Sequence, residues 1–176
     1  TKTIPCSSLV LAMGPWMKNV SDWIGISVPI RPLKGQIIKL NVPDVSIDYS
    51  VGWQGNYACT KLDDLLWVGT TEEDVGFENT PTNDARDWII SILLKMFPNL
   101  DNAELVQHTA CLRPLAKDGM AILGPVEGYR NLILATGAGR KGILLGPAMG
   151  KIVSELLTNQ ETSIDISQFN IQRFQN

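Results

Sequence analysis

The chain has 176 residues, 44% of them hydrophobic, with a mean hydropathy of +0.04, which is enough apolar material for one good core and too much for a disordered segment. Its 15 basic and 18 acidic residues give a net charge of −3, and no stretch concentrates Lys and Arg as a nucleic-acid or anionic-membrane surface requires. No apolar run reaches the roughly 18 residues that span a bilayer, and the first residues lack the basic and apolar regions of a signal peptide.

Residues 8–13, SLVLAM, form a short apolar run of the buried-strand kind, broken by Gly14 and Pro15. Residues 35–41, 57–61 and 65–69 read as strands, the last two joined at Leu62, Asp63 and Asp64 by a connection so short that they must pair antiparallel. Over residues 84–97 the apolar positions 85, 88, 89, 92, 93, 96 and 97 make the stripe of an amphipathic helix, stopped by Pro98 and with Thr82 placed to cap its start. Trp88 and Met96 fall in that stripe and are expected in the core.

Residues 104–112 read as a further strand, and its alternation sorts side chains by face. His108, Ala110 and Leu112 share one side, and Gln107, Thr109, Cys111 and, if the strand continues, Arg113 share the other. The only histidine is then structural, which disfavours a Ser/His/Asp or Cys/His nucleophilic site. Cys6, Cys59 and Cys111 are odd in number and widely spaced, so neither a disulfide framework nor a metal-ligand spacing is indicated. Buried structural thiols in a reducing cytoplasm are the expected reading.

The stretch most dense in chemistry is 131–157, NLILATGAGRKGILLGPAMGKIVSELL, together with LRPLAKDG at 112–119. Five apolar-rich residues, 132–136, lead into a glycine-rich turn carrying Arg140 and Lys141, and a helical segment follows. Gly137, Gly139 and Gly142 let a ligand approach main-chain N–H groups, and the helix start offers donors to an anion or an electron-rich ring edge. From the glycines alone, a plain strand-to-helix connection is equally open, since GxGRKG is not GxGxxG.

LRPLAKDGMAILGP followed by NLILATGAGRKGILLGPAMGKIVSELL resembles the C-terminal signature of the D-amino-acid oxidase family of flavoproteins, with glycine oxidase and sarcosine oxidase nearest in character. The likeness extends to LVLAMGPWM at 9–17 and PIRPLKGQIIKL at 29–40, and so covers nearly the whole chain as the family's second half. The GxGxxG strand and helix that hold the ADP part of FAD are not in the sequence, which also opens at Thr1 without Met and reads as a piece of a longer protein. The resemblance implies an α+β fold. Residues 1–25 and 114–176 would form the last strand region and the C-terminal strand-turn-helix part of a Rossmann-like FAD-binding domain, sharing one layer. Residues 26–113 would form an antiparallel substrate-binding sheet with one helix. The tail 158–176, with Ile164, Ile166, Phe169, Ile171 and Phe174 to pin it down, resembles the family's terminal extension.

The implied activity is oxidation of the C–N bond of an amino acid or secondary amine by hydride transfer to flavin, with FAD as cofactor in the full-length parent and the fragment alone inactive. No protein nucleophile or catalytic side chain is needed; the protein holds the substrate and excludes water. Arg113 stands where the family has its carboxylate-binding arginine, and a guanidinium grips a carboxylate with two parallel charge-assisted bonds; its other reading is a structural ion pair. Tyr57 stands in the place of a hairpin tyrosine that reaches toward substrate, and Arg140 matches a second arginine beside flavin and substrate, with a solvent-exposed loop arginine as its other reading. The two arginines are expected on one side of a shared cavity, with Tyr57 on the opposite wall. Ala138, Gly139, Arg140, Lys141, Gly142, Ile143 and Leu144 match the segment that wraps the isoalloxazine. Ala138 and Gly139 replace a bulkier His-aromatic pair, which implies a roomier pocket. The partners implied are a small amino-acid or amine substrate and the missing N-terminal half. Exposed apolar surface at 9–13 and 143–157 would make the piece dimerise, swap or bind a complementary chain, and the alternative function is a non-catalytic binding or interaction domain.

Overall fold

The computed structural model of the chain describes residues 2–175 apart from Asp44 and Ser46; Thr1 and Asn176, the outer ends of the expected segments 1–25 and 114–176, lie outside the described residues. In chain order the elements are β1 (Leu9–Leu11), α1 (Ser21–Ile24), β2 (Ile30–Asn41), β3 (Val51–Trp53), β4 (Asn56–Thr60), β5 (Leu66–Gly69), α2 (Asn83–Met96), β6 (Glu104–Ala116), β7 (Ile122–Pro125), β8 (Leu132–Thr136) and α3 (Gly142–Leu157). Single 3-10 turns punctuate them, notably Gly139–Lys141 before α3 and Ile171–Phe174 in the tail. Contacts divide the chain into two compact units, Thr1–Leu33 with Arg113–Asn176, and Lys34–Leu112. Residues 26–33 and Arg113 thus group with the terminal segments, because Val28 and Ile30 are buried in that unit's core.

In the first unit β1 pairs in parallel with β8, Leu9 opposite Leu132 and Leu11 opposite Leu134, so the two ends of the chain share one layer. On the other side of β8 lies β7, antiparallel, with Ile122 opposite Thr136. Leu11, Met17, Ile30, Ile122 and Leu134 fill the core on this sheet, and Ile171 of the tail is buried in it at 2% exposure. Ile164 is 53% exposed, so the tail is held by Ile171, with Phe174 packed beside the same core.

In the second unit the strand order is β3-β4-β5-β2-β6, with β2 antiparallel to β5 (Ile38 opposite Val68) and β5 to β4 (Ala58 opposite Val68). Residues 61–65 close the β4–β5 hairpin through a bond from Lys61 N–H to the Leu65 carbonyl. The β3–β4 turn uses two consecutive residues with positive φ, Gln54 (49°) and Gly55 (79°), the backbone sense that suits a two-residue hairpin. One face of the sheet is covered by α2, which buries Ile89 and Leu93 against Ile38, Leu40, Ala58 and Val68. Met96 and Phe97 pack partly on that cluster, but Trp88, expected in the core, is 44% exposed. The stripe Ala85, Ile89, Ile92, Leu93 already fills the sheet-facing arc, and Trp88 lies beyond its flank.

Thr82 is the residue before α2, yet its hydroxyl does not cap the helix. It is held instead by Gln36: Thr82 N–H donates to Gln36 Oε1 (2.9 Å), and Gln36 Nε2 donates to Thr82 Oγ1 (3.1 Å) and Glu73 Oε1 (2.8 Å). Lys34, 1% exposed, places its ammonium 3.5 Å from Glu73 Oε2, and the two residues also exchange backbone hydrogen bonds of 2.9 Å in each direction. Burial pushes the Glu73 carboxyl up, but hydrogen bonds from Thr71 and Gln36 and the Lys34 charge outweigh it and hold the carboxyl below its ordinary value. His108 faces the same group of charges. Its Nε2 is buried with no hydrogen-bond partner, and burial, then Arg86 and Lys34, hold its pKa below the ordinary value while Glu73 opposes them. A structural role for His108 agrees with these surroundings.

The three thiols are all free. Cys59 is buried as expected, whereas Cys6 and Cys111 are exposed, because Cys6 lies in an irregular segment and Cys111 on an outward position of β6.

Two stability predictions follow from these cores. Ile89→Ala removes a fully buried side chain between α2 and the sheet and should cost about 2–5 kcal/mol, measured as a shift of the urea midpoint at unchanged slope. His108 and Glu73 both have folded-state pKa values below their unfolded ones, so the stability they contribute is complete above the unfolded values of 6.5 and 4.5 and is lost as pH falls through the folded ones. Stability should therefore decline first below about pH 6.5 and more steeply below about pH 4.5. Denaturant titrations at pH 7.5 and 5.5 should show a smaller difference for His108→Leu than for the parent.

Candidate functional site

The turn after β8 is built by what its glycines lack. Gly137 has φ +82° and Gly139 φ +53°, where a side chain is strained. A Cβ at position 137 would also lie 3.0 Å from Ile30 Cδ1 and 3.1 Å from Ala116 Cβ, and one at 139 would lie 3.1 Å from Leu115 Cδ1. The chain is pressed so closely onto the end of β6 that Ala116 N–H reaches the Gly137 carbonyl (3.3 Å), and Leu115 forms an isolated antiparallel bridge with Ala138.

In sequence, that bridge lies two residues from each of the two arginines singled out above, Arg113 on the β6 side and Arg140 on the turn side. Arg113 is half-buried near the end of β6; Arg140 is exposed in the Gly139–Lys141 turn, beside the exposed Lys141. The helix α3 then starts at Gly142, with no capping side chain and no acidic residue in its first turn. Two basic residues, Arg140 and Lys141, thus directly precede the positive end of a 16-residue helix.

Beside this turn lies an open cavity of about 400 Å³, lined mostly by apolar groups. One wall is Val10, Ala12 and Gly14; the floor is Ala135 to Ala138 with Pro114; the other wall is Gly142, Gly146, Met149, Gly150 and Val153 of α3. Nothing lies within 4 Å of a Cβ built at Gly146 or Gly150, so these glycines keep the groove wide rather than tightly packed. The sequence reading missed this wall. Its signal was a spacing of four, Gly142, Gly146 and Gly150 on one face of the helix, opposite the small residues Ala12 and Gly14.

The donor set suits the ring edge of a flavin: a flat apolar space, main chain freed of side chains, and positive potential where negative charge collects on reduction. The residues that would hold it are Ala138, Gly139, Arg140, Lys141, Gly142, Ile143 and Leu144, the last two being 97% and 79% exposed.

Tyr57 lies in the second unit, half-buried on β4. Both of its cross-strand neighbours, Gly52 and Gly69, lack side chains, the space over Gly69 is taken by Ile37, and the Lys61 ammonium lies 5.9 Å from the Tyr57 ring centre. No group of His, Cys, Asp and Glu among the described residues could hold a metal ion, and no described helix is long and apolar enough to cross a membrane.

The chain is 33% identical over 162 residues to glycine oxidase of Pseudomonas putida, an alignment covering 92% of this chain and 44% of that protein. It is 29% identical over 174 residues to the D-amino acid dehydrogenase of Bradyrhizobium diazoefficiens, covering 97% and 41% respectively. The crystal structure of glycine oxidase from Geobacillus kaustophilus superposes with a TM-score of 0.90 at 28% identity, covering 94% of this chain and 45% of that one. The chain thus spans less than half the length of these relatives. The model of the family described as FAD dependent oxidoreductase matches residues 1–156, and with the glycine turn, its basic residues and the apolar groove in place, the chain belongs to that D-amino-acid-oxidase-type family of FAD-dependent oxidoreductases.

Proposed function

We propose that this chain supplies the flavin-edge and substrate-binding portion of an enzyme that oxidises the C–N bond of an amino acid or secondary amine. The observation that carries the reading is the groove of about 400 Å³ beside a glycine turn that bears Arg140 and Lys141 at the uncapped start of α3. The similarity to a glycine oxidase and a D-amino acid dehydrogenase supports a small substrate that carries an amine and a carboxylate.

Bound FAD supplies the electron acceptor. The chain's own work is positioning. Arg113 offers a planar fork to the substrate carboxylate, and a desolvated carboxylate needs such a partner because an unpaired buried charge is costly. Arg140 adds a second cation next to the glycine turn, and the N–H groups of the turn and the start of α3 would offer donors to a flavin ring that gains negative charge on reduction. The apolar groove walls keep water from the reacting C–N bond. In the second unit, Tyr57 carries a phenol of the kind that can pack on a small substrate and donate a hydrogen bond to it. The ADP part of FAD is held by a dinucleotide-binding portion outside this sequence, and its partner surface here is Leu9, Ile143 and Leu144, at 47%, 97% and 79% exposure. That exposure also favours a second reading, in which the chain by itself is a binding module that associates through this face.

Flavin absorbance separates the two: the chain, with or without its complementary portion, should turn yellow and stay so through desalting after incubation with FAD, and a colourless protein under both conditions leaves the binding module. In the FAD-loaded enzyme, Arg113→Lys should lose roughly 2–5 kcal/mol of transition-state binding in kcat/KM, and Arg113→Leu more. His108→Ala should leave turnover nearly intact. Steady-state kinetics with an amino-acid substrate check both; near-normal kcat/KM for Arg113→Leu would remove Arg113 from the site.

A further inference from the structure

The tail after α3 ends in a clamp that the function described so far does not use. Arg173 lies in the Ile171–Phe174 turn, and its guanidinium grips one carboxylate with two nitrogens: Nε donates to Asp118 Oδ2 (2.7 Å) and Nη2 to Asp118 Oδ1 (3.2 Å). Nη2 also donates to the Met120 carbonyl (2.9 Å), while Nη1 donates to the carbonyls of Phe169 (2.8 Å) and Asn170 (3.1 Å), and the ring of Phe174 lies 4.3 Å from the guanidinium carbon. The Arg173 side chain is only 16% exposed. A point charge on the tail would not need a planar fork bonded on every side; this arrangement fixes the angle between the tail and the 117–120 turn.

What that turn touches gives the clamp its reach. Gly119 N–H donates to the Ala116 carbonyl (2.9 Å), Met120 N–H to Asp118 Oδ1 (3.1 Å) and Lys117 N–H to the Pro29 carbonyl (3.0 Å). The turn joins the end of β6 to the start of β7, and both of its flanks press on the glycine turn of the site. Ala116 N–H bonds the Gly137 carbonyl, and a Cβ at Gly137 would meet Ala116 Cβ at 3.1 Å and Ile122 N at 3.3 Å. Moving residues 117–120 therefore moves two of the surfaces between which Gly137 is held, and with them the Leu115–Ala138 bridge, two residues from Arg113 on one side and from Arg140 on the other.

We propose that Arg173 is a positioning residue: through Asp118 it sets the 117–120 turn, and through that turn the glycine loop and the spacing of the two arginines that receive the substrate. The proposal rests on the reading of Arg113 and Arg140 as the carboxylate site, but its structural half does not. Arg173→Leu removes the fork, Arg173→Lys keeps the charge alone, and Asp118→Asn keeps the shape while losing the charge.

Amide hydrogen exchange of this chain, followed by mass spectrometry well below the unfolding midpoint, tests the structural half without any cofactor. Peptides covering 114–122 and 136–144 should exchange about tenfold faster in Arg173→Leu and Asp118→Asn, with Arg173→Lys between them and the parent, while 56–69 of the second unit stays unchanged. Acceleration confined to 165–175 would mean that the clamp only pins the tail, and would overturn the proposal. In the FAD-loaded enzyme the same variants should retain flavin and raise KM for an amino-acid substrate by about tenfold, with a smaller fall in kcat. Unchanged KM alongside accelerated exchange at 136–144 would also overturn it. If the parent itself shows no flavin and no turnover, the functional reading fails, and the exchange result still decides whether Arg173 controls the loop.

Discussion

A side chain at position 137 would be strained and crowded on three sides, and the first unit is arranged around that constraint. Three segments far apart in sequence close on the one residue: Ile30 from the start of β2, Ala116 from the end of β6 and Ile122 from the start of β7, each within 3.0–3.3 Å of where a methyl group would stand. The backbone there is also left-handed, at φ +82°, which costs an L-residue roughly 1–2 kcal/mol before any clash is counted. Both constraints point the same way. The loop can therefore turn sharply off β8 while lying flat on the end of β6, and Gly137, Ala138 and Gly142 border the groove there.

In the second unit a polar side chain does comparable work. Gln36 is fully buried, and its amide is used at both ends, accepting from Thr82 N–H and donating to Glu73 and Thr82. A buried amide left half-satisfied would cost about 1–3 kcal/mol, so the complete set of bonds ties the start of α2 and the strand-like segment at Glu73 to β2 in one geometry. The Lys34–Glu73 pair is part of the same arrangement. Its charges are largely withdrawn from water, so its value lies less in net stability than in the register it imposes between residues 34 and 73.

Much of this was legible in the residues, and the misses have physical causes. The helix at Asn83–Met96 announced itself by periodicity and by Pro98, and the strands at Leu9–Leu11, Asn56–Thr60 and Leu66–Gly69 by apolar runs between turn residues. Strand β3 was not legible: all three of its residues are exposed on a sheet edge, so burial imposes no pattern on them. Nor was β7, where Gly124 and Pro125 in a stretch of four residues look like a breaker, although pairing with β8 overrides that local preference. Trp88 was misplaced because a seven-position stripe is wider than the arc a flat sheet can cover. Within the site, the glycine turn and its arginines were visible as a motif, whereas the groove wall from Val10, Ala12 and Gly14 required the parallel pairing of β1 with β8 across the whole chain. No local signal encodes a contact between residues so distant in sequence.

The composition of α3 bears on how such a site is held. Its first nine residues include Gly142, Gly146, Pro147 and Gly150, and glycines within a helix cost about 1 kcal/mol each relative to alanine. Its buried residues, Ile152 and Glu155, lie in the second half, where Glu155 is further fixed by Ser163 N–H at 2.9 Å and by Lys151 at 3.4 Å. Helices in proteins owe most of their stability to packing of one face, so the first half of α3 is the part least supported from within the chain. It is also the part that lines the groove and offers its positive end to a ligand. A group seated there adds the contacts that this half lacks, and its binding and the ordering of the helix start become a single free-energy term. The glycines that weaken the helix are the same ones that open the groove, so weak intrinsic order and an accessible site are two consequences of one choice of residues.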